Sequence, residues 1–446
     1  MRAVIMAGGK GTRIASIAND VPKPMIRICG KPILEYEIDN LKSCGITDIT
    51  VVVGHLGHLI QQYFGDGSSF GVRISYFVED RPLGTAGSLF KMMNLNTDSS
   101  SMGWSQLTDD FLLLSGDIII DVDFNRFIAF HKERKALASL MTHPNGHPYD
   151  SSLIITEILP PQESGGLPVD THRLISWLGK DDERLFYRNR VNAGIEIISI
   201  ELLKKTIHRY SSQNIDMPEK IDLDRDVLKA NISDGYIYAY DTPEYIKDMG
   251  TPDRYYEVEA DITSGKVHAR NLKNSQKAVF LDRDGTISVY KGFITKAEDF
   301  ELLPGVAQVI KQVNKSGYLA IVVTNQPVIA RGECSFEELQ RIHDKMETDL
   351  GKEGAFIDAI YYCPHHPDKG FEGERLEYKQ DCDCRKPKPG LLLRAATDFH
   401  IDLSKSIMVG DSQRDIDAGR NAGVGECILV ERNAGLQKLS DMLLSR

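Results

Sequence analysis

Short apolar runs recur along the first part of the chain at 3–6, 49–53, 72–77, 111–114, 137–142, 153–156 and 195–198. Between them, apolar residues return every three or four positions. Runs of this length bounded by polar turns predict buried strands, and the intervening period predicts amphipathic helices, the pattern of α/β domains with mainly parallel sheets. The series fades near residue 260 and restarts with runs at 278–281, 319–323, 357–362, 407–410 and 428–430. The stretch between the two series is polar, weakly periodic and without a core strand, which predicts a linker. The expected organisation is an N-terminal domain over 1–262, a linker over 263–276 and a C-terminal domain over 277–446.

Two helices of the second series can be read in detail. Val306, Val309, Ile310 and Val313 fall at i, i+3, i+4 and i+7 and predict one buried face. Ser335 followed by Glu338 ahead of Leu339, Ile342 and Met346 predicts a capping box opening another helix.

The 446 residues exceed what one core usually organises, and 41% hydrophobic with 26% charged residues is an ordinary globular composition, which excludes collagen, coiled-coil and disordered classes. Lys and Arg number 53 against 64 Asp and Glu, giving a net charge of −11. That balance opposes non-specific binding to nucleic acid or an anionic membrane, so neither is expected as a partner, and an anionic ligand must be met by local cations. No apolar run approaches the roughly 20 residues that span a bilayer. The N-terminus reads as a buried strand, not as a secretory signal, and a cytoplasmic protein is expected, with a homo-oligomer left open. Three of the seven cysteines, Cys363, Cys382 and Cys384, fall close together, which points to metal and not to a disulfide scaffold.

Candidate chemistry lies at the predicted strand ends. After the first strand, Ala7-Gly8-Gly9-Lys10-Gly11-Thr12-Arg13 forms a glycine turn whose backbone N–H groups can approach a polyphosphate, with Arg13 adding fixed charge. It lacks the third glycine of the dinucleotide fingerprint. Pro22-Lys23-Pro24 holds a lysine between two prolines, and Pro82-Leu83-Gly84-Thr85-Ala86-Gly87 is a second segment fit for close approach. Ser115-Gly116-Asp117 places a carboxylate at the carboxyl end of a strand, where open α/β sheets bind ligands and where magnesium can be held.

With Asn192-Ala193-Gly194 and Asp248-Met249-Gly250-Thr251-Pro252, these motifs resemble the sugar-1-phosphate nucleotidyltransferase family over nearly all of the first domain, in the family's order. The resemblance implies a Rossmann-like mixed sheet. It implies nucleotide contacts from Ala7, Gly8, Gly9, Gly11, Thr12, Gly84 and Thr85, with Arg13 and Lys23 holding the triphosphate and the transferred phosphoryl group. Asp117 and Asp226 would coordinate Mg²⁺, Asp222 and Asp224 being alternatives to Asp226. Asn192 and Gly194 would serve the sugar phosphate, as would Lys180, although Gly-Lys-Asp stands there in place of the family's Glu-Lys-Pro. Glu79 occupies the place where thymidylyl relatives carry glutamine, and a carboxylate, which only accepts, suits the adjacent N1–H and N2–H₂ donors of guanine. GTP is the expected nucleotide. The segment His147-Pro148-Tyr149-Asp150-Ser151 resembles the heptose-phosphate guanylyltransferases of this family.

In the second series, Asp282-Arg283-Asp284-Gly285-Thr286 follows a strand and sets two carboxylates at i and i+2 on one side, able to divide nucleophile and acid/base duties. No acidic ladder with a terminal Glu follows, so a calcium loop is excluded. With Thr324, Lys386, Asp411 and Asp415, the set resembles the haloacid dehalogenase superfamily, which implies a parallel sheet with helices on both faces. The resemblance implies that Asp282 attacks a phosphomonoester while Asp284 serves as acid and base. Thr324 would donate to the phosphate and Lys386 would balance the charge, Asp282, the Asp284 carbonyl and Asp411 would hold Mg²⁺, and Asp415 would support its outer shell. Cys363 and His365 with Cys382 and Cys384 supply three thiolates and an imidazole suited to a closed, structural tetrahedral zinc site, His366 being the alternative imidazole. This block resembles the heptose 1,7-bisphosphate phosphatases and also the histidinol phosphatases. Asn325, Arg331 and Arg385 are the sugar-phosphate contacts expected on the heptose branch.

The two expectations fit each other. Removing the 7-phosphate of D-glycero-D-manno-heptose 1,7-bisphosphate leaves a heptose 1-phosphate, the acceptor that a guanylyltransferase needs to make GDP-heptose. A bifunctional enzyme acting on GTP and heptose phosphates is therefore expected. Another sugar 1-phosphate or nucleoside triphosphate, joined to a histidinol-phosphatase-like or other sugar phosphatase, is the alternative.

Overall fold

A computed structural model of the chain describes residues 1–9, 21–93 and 107–445. In chain order the strands are β1 (Arg2–Met6), β2 (Arg27–Ile28), β3 (Lys31–Pro32), β4 (Asp48–Val53), β5 (Arg73–Val78), β6 (Phe111–Ser115), β7 (Ile118–Asp121), β8 (Ala138–His143) and β9 (Leu153–Leu159). They continue with β10 (Val169–Leu178), β11 (Val191–Ile198), β12 (Ile237–Asp241), β13 (Tyr245–Asp248), β14 (Ala278–Leu281), β15 (Leu319–Asn325), β16 (Ala359–Cys363), β17 (Ile407–Gly410) and β18 (Glu426–Leu429). The chain divides into two compact units. The first holds Met1–Thr142, His172–Trp177 and Asn192–Asn271, and the second holds His143–Thr171, Leu178–Val191 and Leu272–Arg446.

In the first unit the strands are ordered β5-β4-β1-β6-β11-β8-β12-β10. β1 runs parallel to β4 and β6, whereas β11 runs antiparallel to β6, so the sheet is mixed. β1 and β6 read as continuous apolar runs because both of their faces are covered. Ala3, Ile5, Val51, Leu112 and Leu114 form one core with Leu34, Ile38 and Leu41 of the helix Ile33–Ser43 and with Ile60 and Phe64 of the helix Gly57–Phe64. Apart from this sheet, β7 and β13 pair antiparallel, with Asp248 opposite Ile118.

The polar stretch expected as a linker is built structure. The helix Pro252–Thr263 ends in it and a short helix, Lys266–Ala269, follows. Val267 is buried in the core with Met249 and Val258, Arg270 donates to Pro243 O at 3.4 Å, and Asn271 donates to Asp121 Oδ1 at 2.5 Å. One buried valine and hydrogen bonds, which together leave no apolar period in the sequence, order it.

The second unit contains a parallel sheet in the order β16-β15-β14-β17-β18. Side chains alternate across it. Val279, Leu281, Ala320 and Val322 face the helices Val306–Lys315 and Phe336–Lys352, while Ala278, Phe280, Leu319, Ile321 and Val323 face the helices Gly390–Phe399 and Gln413–Ala422. Helices thus cover both faces. Val306, Val309, Ile310 and Val313 are buried as their spacing predicts. Ser335 caps the helix Phe336–Lys352 by accepting from Glu338 N at 3.1 Å, but the Glu338 carboxylate accepts from Ala297 N at 2.8 Å, so only half of the expected box is visible.

The same unit takes in segments that precede β14 by more than 80 residues. β9 meets Val191 at Leu153, Tyr187 N donates to Thr348 Oγ1 at 2.9 Å, and Arg190 lies 3.5 Å from Glu347. Glu347 is 2% exposed, and burial pushes its carboxyl up to about 7 against the pull of Arg190. Among the described residues, no helix is long and apolar enough to cross a membrane.

Candidate active sites

In the first unit, β1 delivers Ala7, Gly8 and Gly9 to the carboxyl edge of the sheet, with Ala7 N donating to Val52 O at 2.8 Å. Gly11, Thr12 and Arg13 lie outside the described residues. Glu79 follows β5 beside this turn. A side-chain carbon on Gly8 would come within 3.2 Å of its Oε2, while its Oε1 accepts from Ser88 Oγ. Burial raises the Glu79 carboxyl above the usual carboxylate range, opposed by Ser88 and Lys91.

The Gly84 segment approaches protein, not only ligand. At φ +85°, Gly84 brings its own backbone against residue 221, where a Cβ would stand 2.4 Å from Ile221 O. Ala86 N donates to that same carbonyl at 2.9 Å, and Leu223 N donates to Thr85 Oγ1 at 2.7 Å. Gly84 and Thr85 thereby anchor the turn that carries the three aspartates.

Those aspartates divide. Asp222 caps the turn by accepting from Arg225 N at 2.8 Å. Asp226 accepts from Arg225 Nε at 2.7 Å and from Asp222 N at 2.8 Å, and the Arg225 contact holds its carboxyl below the usual range. Asp224 is half-buried, and loss of solvation together with Asp222 pushes its carboxyl up to about 6. Its neighbour Glu196 on β11, which the sequence reading passed over, is pushed up to about 8 by burial and by Asp224. Asn192 Nδ2 donates to Glu196 Oε1 at 3.5 Å, and Gly194 N donates to Asn192 Oδ1 at 3.4 Å beside Ser115. Asn192, Gly194, Glu196 and Asp224 therefore gather at the end of β6.

Asp117 follows Gly116 directly after β6, and the Lys23 ammonium donates to its Oδ2. Met249 N donates to Asp117 O at 3.1 Å, which sets Asp248, at the end of β13, across from the Asp117 turn. Arg254 holds the Asp248 carboxylate at 2.5 Å. Asp248 was legible only as part of the quoted DMGTP motif; the strand register supplies its partner. Lys180 is exposed in the turn beginning at Gly179 and belongs to the second unit.

In the second unit three parallel strands converge on one edge. β14 delivers Asp282, β15 delivers Thr324 and β17 delivers Asp411, as the carboxyl ends of such sheets require. The Lys386 ammonium donates to Asp282 Oδ1 at 2.8 Å and to Val323 O at 2.8 Å, and it lies 2.6 Å from Asp415 Oδ1. Burial raises Asp282 to about 6, with Lys386 opposing. Asp415 also accepts from Ser412 N at 3.0 Å, capping the helix Gln413–Ala422. Oxygens of Asp282, Asp411 and Asp415 lie within 4.8 Å of one another, a hard-oxygen set that fits a divalent cation.

Asp284 is held by groups the sequence reading did not use. Arg283 donates Nε to Oδ1 and Nη2 to Oδ2, both at 2.9 Å, and Gln326 Nε2 donates to Asp284 Oδ2 and to Thr324 Oγ1, again at 2.9 Å. Arg432 Nε donates to Asp411 Oδ2 at 2.6 Å. Asn325 exchanges hydrogen bonds with the Lys386 backbone, accepting from its N at 3.0 Å and donating to its O at 3.1 Å, which makes it a tether for Lys386. Arg331 is stacked between Phe293 and Phe371 and pairs with Glu333 at 2.7 Å, while Arg385 donates to His365 O at 3.1 Å.

Cys363, His365, Cys382 and Cys384 come together with all four donor atoms within 4.8 Å of one another. Sγ atoms of Cys363 and Cys382 are 3.5 Å apart, those of Cys382 and Cys384 3.2 Å, and His365 Nδ1 is 3.3 Å from Cys384 Sγ. A tetrahedral zinc with thiolate bonds of 2.3 Å sets sulfurs roughly 3.8 Å apart, so the donor set fits with a small expansion. Contacts with Cys363 and Cys384 hold the Cys382 thiol far below its usual range, while contacts with Cys382 and Cys384 drive Cys363 up. The His366 ring stands against Phe371 and accepts from Asp368 N at 3.2 Å.

The profile of the family described as nucleotidyl transferase matches residues 2–265, and one described as HAD-hydrolase-like matches 383–440. The chain is 42% identical over 175 residues to a D-glycero-β-D-manno-heptose-1,7-bisphosphate 7-phosphatase from Haemophilus ducreyi, covering 38% of this chain and 93% of that protein. It is 42% identical over 159 residues to the protein of the same description from Escherichia coli K12, covering 36% and 81%. Among solved structures, HddC from Yersinia pseudotuberculosis complexed with GMP-PN aligns at 21% identity and a TM-score of 0.44, over 58% of this chain and 99% of that one.

Proposed function

The chain belongs to the nucleotidyl transferase family through residues 2–265 and to the family of the heptose bisphosphate 7-phosphatases through its C-terminal part, and from that premise we propose a bifunctional enzyme of nucleotide-sugar synthesis. The C-terminal site removes the 7-phosphate of D-glycero-D-manno-heptose 1,7-bisphosphate. The N-terminal site transfers GMP from GTP to the resulting heptose 1-phosphate, releasing pyrophosphate and GDP-heptose. The observation that carries the reading is the buried Asp282–Lys386 contact at the carboxyl edge of a parallel sheet.

In the phosphatase, a carboxylate oxygen of Asp282 attacks phosphorus and the bond to sugar O7 breaks as Asp284 gives O7 a proton. Water then attacks the phosphorus, Asp284 takes its proton, and phosphate leaves with the Asp282 carboxylate restored. Arg283 and Gln326 orient Asp284; Lys386 balances the charge on Asp282, and Thr324 donates to the phosphate. Magnesium, when bound by Asp282, Asp411 and the Asp284 carbonyl, offsets the charge gathering on the phosphoryl group.

In the transferase, a phosphate oxygen of heptose 1-phosphate attacks the α-phosphorus of GTP in line with the departing pyrophosphate. Arg13 and Lys23 meet the two anions, and Glu79 accepts from the guanine edge. Asp117 is the first magnesium carboxylate. Asp248, set across from the Asp117 turn by strand register and by Met249 N on Asp117 O, joins Asp226 as a candidate for the second; an arginine engages each of them, and the register favours Asp248.

Zinc at Cys363, His365, Cys382 and Cys384 is structural, with no position left for a reacting water. The enzyme works in the cytoplasm on small phosphorylated ligands and needs neither nucleic acid nor membrane. The test supplies Mg²⁺, GTP and each anomer of the heptose 1,7-bisphosphate, with ATP, CTP and UTP in parallel, and follows phosphate, pyrophosphate and nucleotide-sugar. Phosphate followed by GDP-heptose supports both sites and their order. Phosphate without pyrophosphate from any nucleotide sinks the coupled reading.

A further inference from the structure

His365 has two ring nitrogens, and only Nδ1 faces the thiols. Nε2 lies 3.3 Å from Gly165 O, the spacing of a ring N–H donating to a carbonyl. Gly165 is 200 residues away in sequence and falls inside the stretch that matches the nucleotidyl transferase family. It sits in the turn at 163–166, closed by Gly166 N donating to Glu163 O at 3.0 Å.

Two further observations show that this contact is built. Tyr378 OH donates to Gly166 O at 3.0 Å, so His365 and Tyr378 together hold two successive carbonyls of the turn. Gly165 adopts φ +77°, and a Cβ there would stand 2.4 Å from Glu377 O. Only a residue without a side chain can bring its carbonyl so close to the Cys/His loop.

We propose that the turn at 163–166 is the outer shell of the zinc site: Gly165 O fixes the His365 tautomer and ring angle that present Nδ1 to the metal, so zinc loading and the order of a segment belonging by sequence to the transferase depend on each other. A ligating imidazole needs such a partner for its second N–H, and losing one typically weakens a site about 10- to 100-fold. Reciprocity follows from linkage: whatever the turn adds to zinc affinity, zinc adds to the stability of the turn. Gly165 is a positioning residue and touches no substrate.

The inference rests on the zinc reading, and the experiment separates the two. Zinc content and chelator competition are measured on the full-length protein, on Gly165→Ala and on Tyr378→Phe. Gly265→Ala, at the same φ of +77° with open space around it, controls for backbone strain alone. Hydrogen exchange of a peptide spanning 157–168 is followed before and after zinc is stripped from the wild type. The expected results are one zinc per chain, a Kd at least about tenfold weaker in Gly165→Ala, a smaller loss in Tyr378→Phe, none in Gly265→Ala, and faster exchange at 157–168 on stripping. Should Gly165→Ala fail to fold, the wild-type exchange decides. Zinc bound as tightly by Gly165→Ala as by the wild type, or exchange at 157–168 indifferent to zinc, overturns the proposal and leaves the zinc reading intact. A wild type that binds no zinc removes both.

Discussion

Lys386 places its ammonium 2.8 Å from Asp282 Oδ1 at a position only 2% exposed, and Asp415 Oδ1 lies 2.6 Å from the same nitrogen. One buried cation thus serves two carboxylates. Lys386→Met would leave both uncompensated, at a cost of about 3–5 kcal/mol, and would drive Asp282 towards its protonated, non-nucleophilic form. Urea unfolding and phosphate release should both show the loss; wild-type stability in the variant would contradict the pairing.

Asp282→Asn separates the two reactions. Phosphate release from the heptose bisphosphate should fall about a thousandfold or more, as expected when a nucleophile is removed. Pyrophosphate release from GTP and independently supplied heptose 1-phosphate should stay at the wild-type rate. A parallel fall in pyrophosphate would mean that Asp282 holds the whole chain together and is not confined to one reaction.

Asp248→Ala and Asp226→Ala distinguish the two candidates for the second magnesium carboxylate. The register of β13 against β7 leads us to expect Asp248→Ala to lower transferase kcat and raise the magnesium requirement, as Asp117→Ala should. Asp226→Ala, which frees Arg225 and loosens the turn, should act on stability first. The reverse order would return the role to Asp226.

Glu79→Gln replaces a group that only accepts with one that also donates. For a site that reads the N1–H and N2–H₂ edge, kcat/KM for GTP should drop by about a hundredfold, with a smaller change for UTP. Equal losses for all four nucleotides would show that Glu79 supports the glycine turn and reads no base.

Glu347 gives a pH signature to the second unit. Its carboxyl is raised by burial to about 7, so the folded state binds a proton that the unfolded state, titrating near its ordinary value, has already released. Its contribution to stability is full below the unfolded value and is lost as pH rises through about 7. Glu347→Gln should remove that slope between pH 5 and 8, an effect on the order of 2 kcal/mol. Identical pH profiles for the two proteins would place Glu347 in an ionised pair with Arg190 throughout.

The sequence reads best where burial is complete. β1, β4, β6, β14, β15 and β17 are apolar on both faces and stand out as runs, and the motifs that follow them fall at the strand ends where the structure has them. β10 and β12 do not stand out because Val169–Leu178 and Ile237–Asp241 mix polar and aromatic side chains on strands that are only partly covered. Which of Asp222, Asp224 and Asp226 is available could not be read either, since Arg225 and two backbone N–H groups decide it through contacts without a sequence period. Gly84 was legible as a close approach, but the object approached, Ile221 O, comes from a segment 137 residues on.

The chain changes unit after residues 142, 171, 177, 191 and 271. A gene broken at codon 262 would therefore part segments that belong to one compact unit. Its downstream product would begin without β9, Tyr187 and Arg190, taking the Tyr187 backbone from Thr348 and Arg190 from the buried Glu347. The family match that ends at 265 and the borders of the compact units therefore fall at different places along the chain, and a cut that respects the first breaks the second.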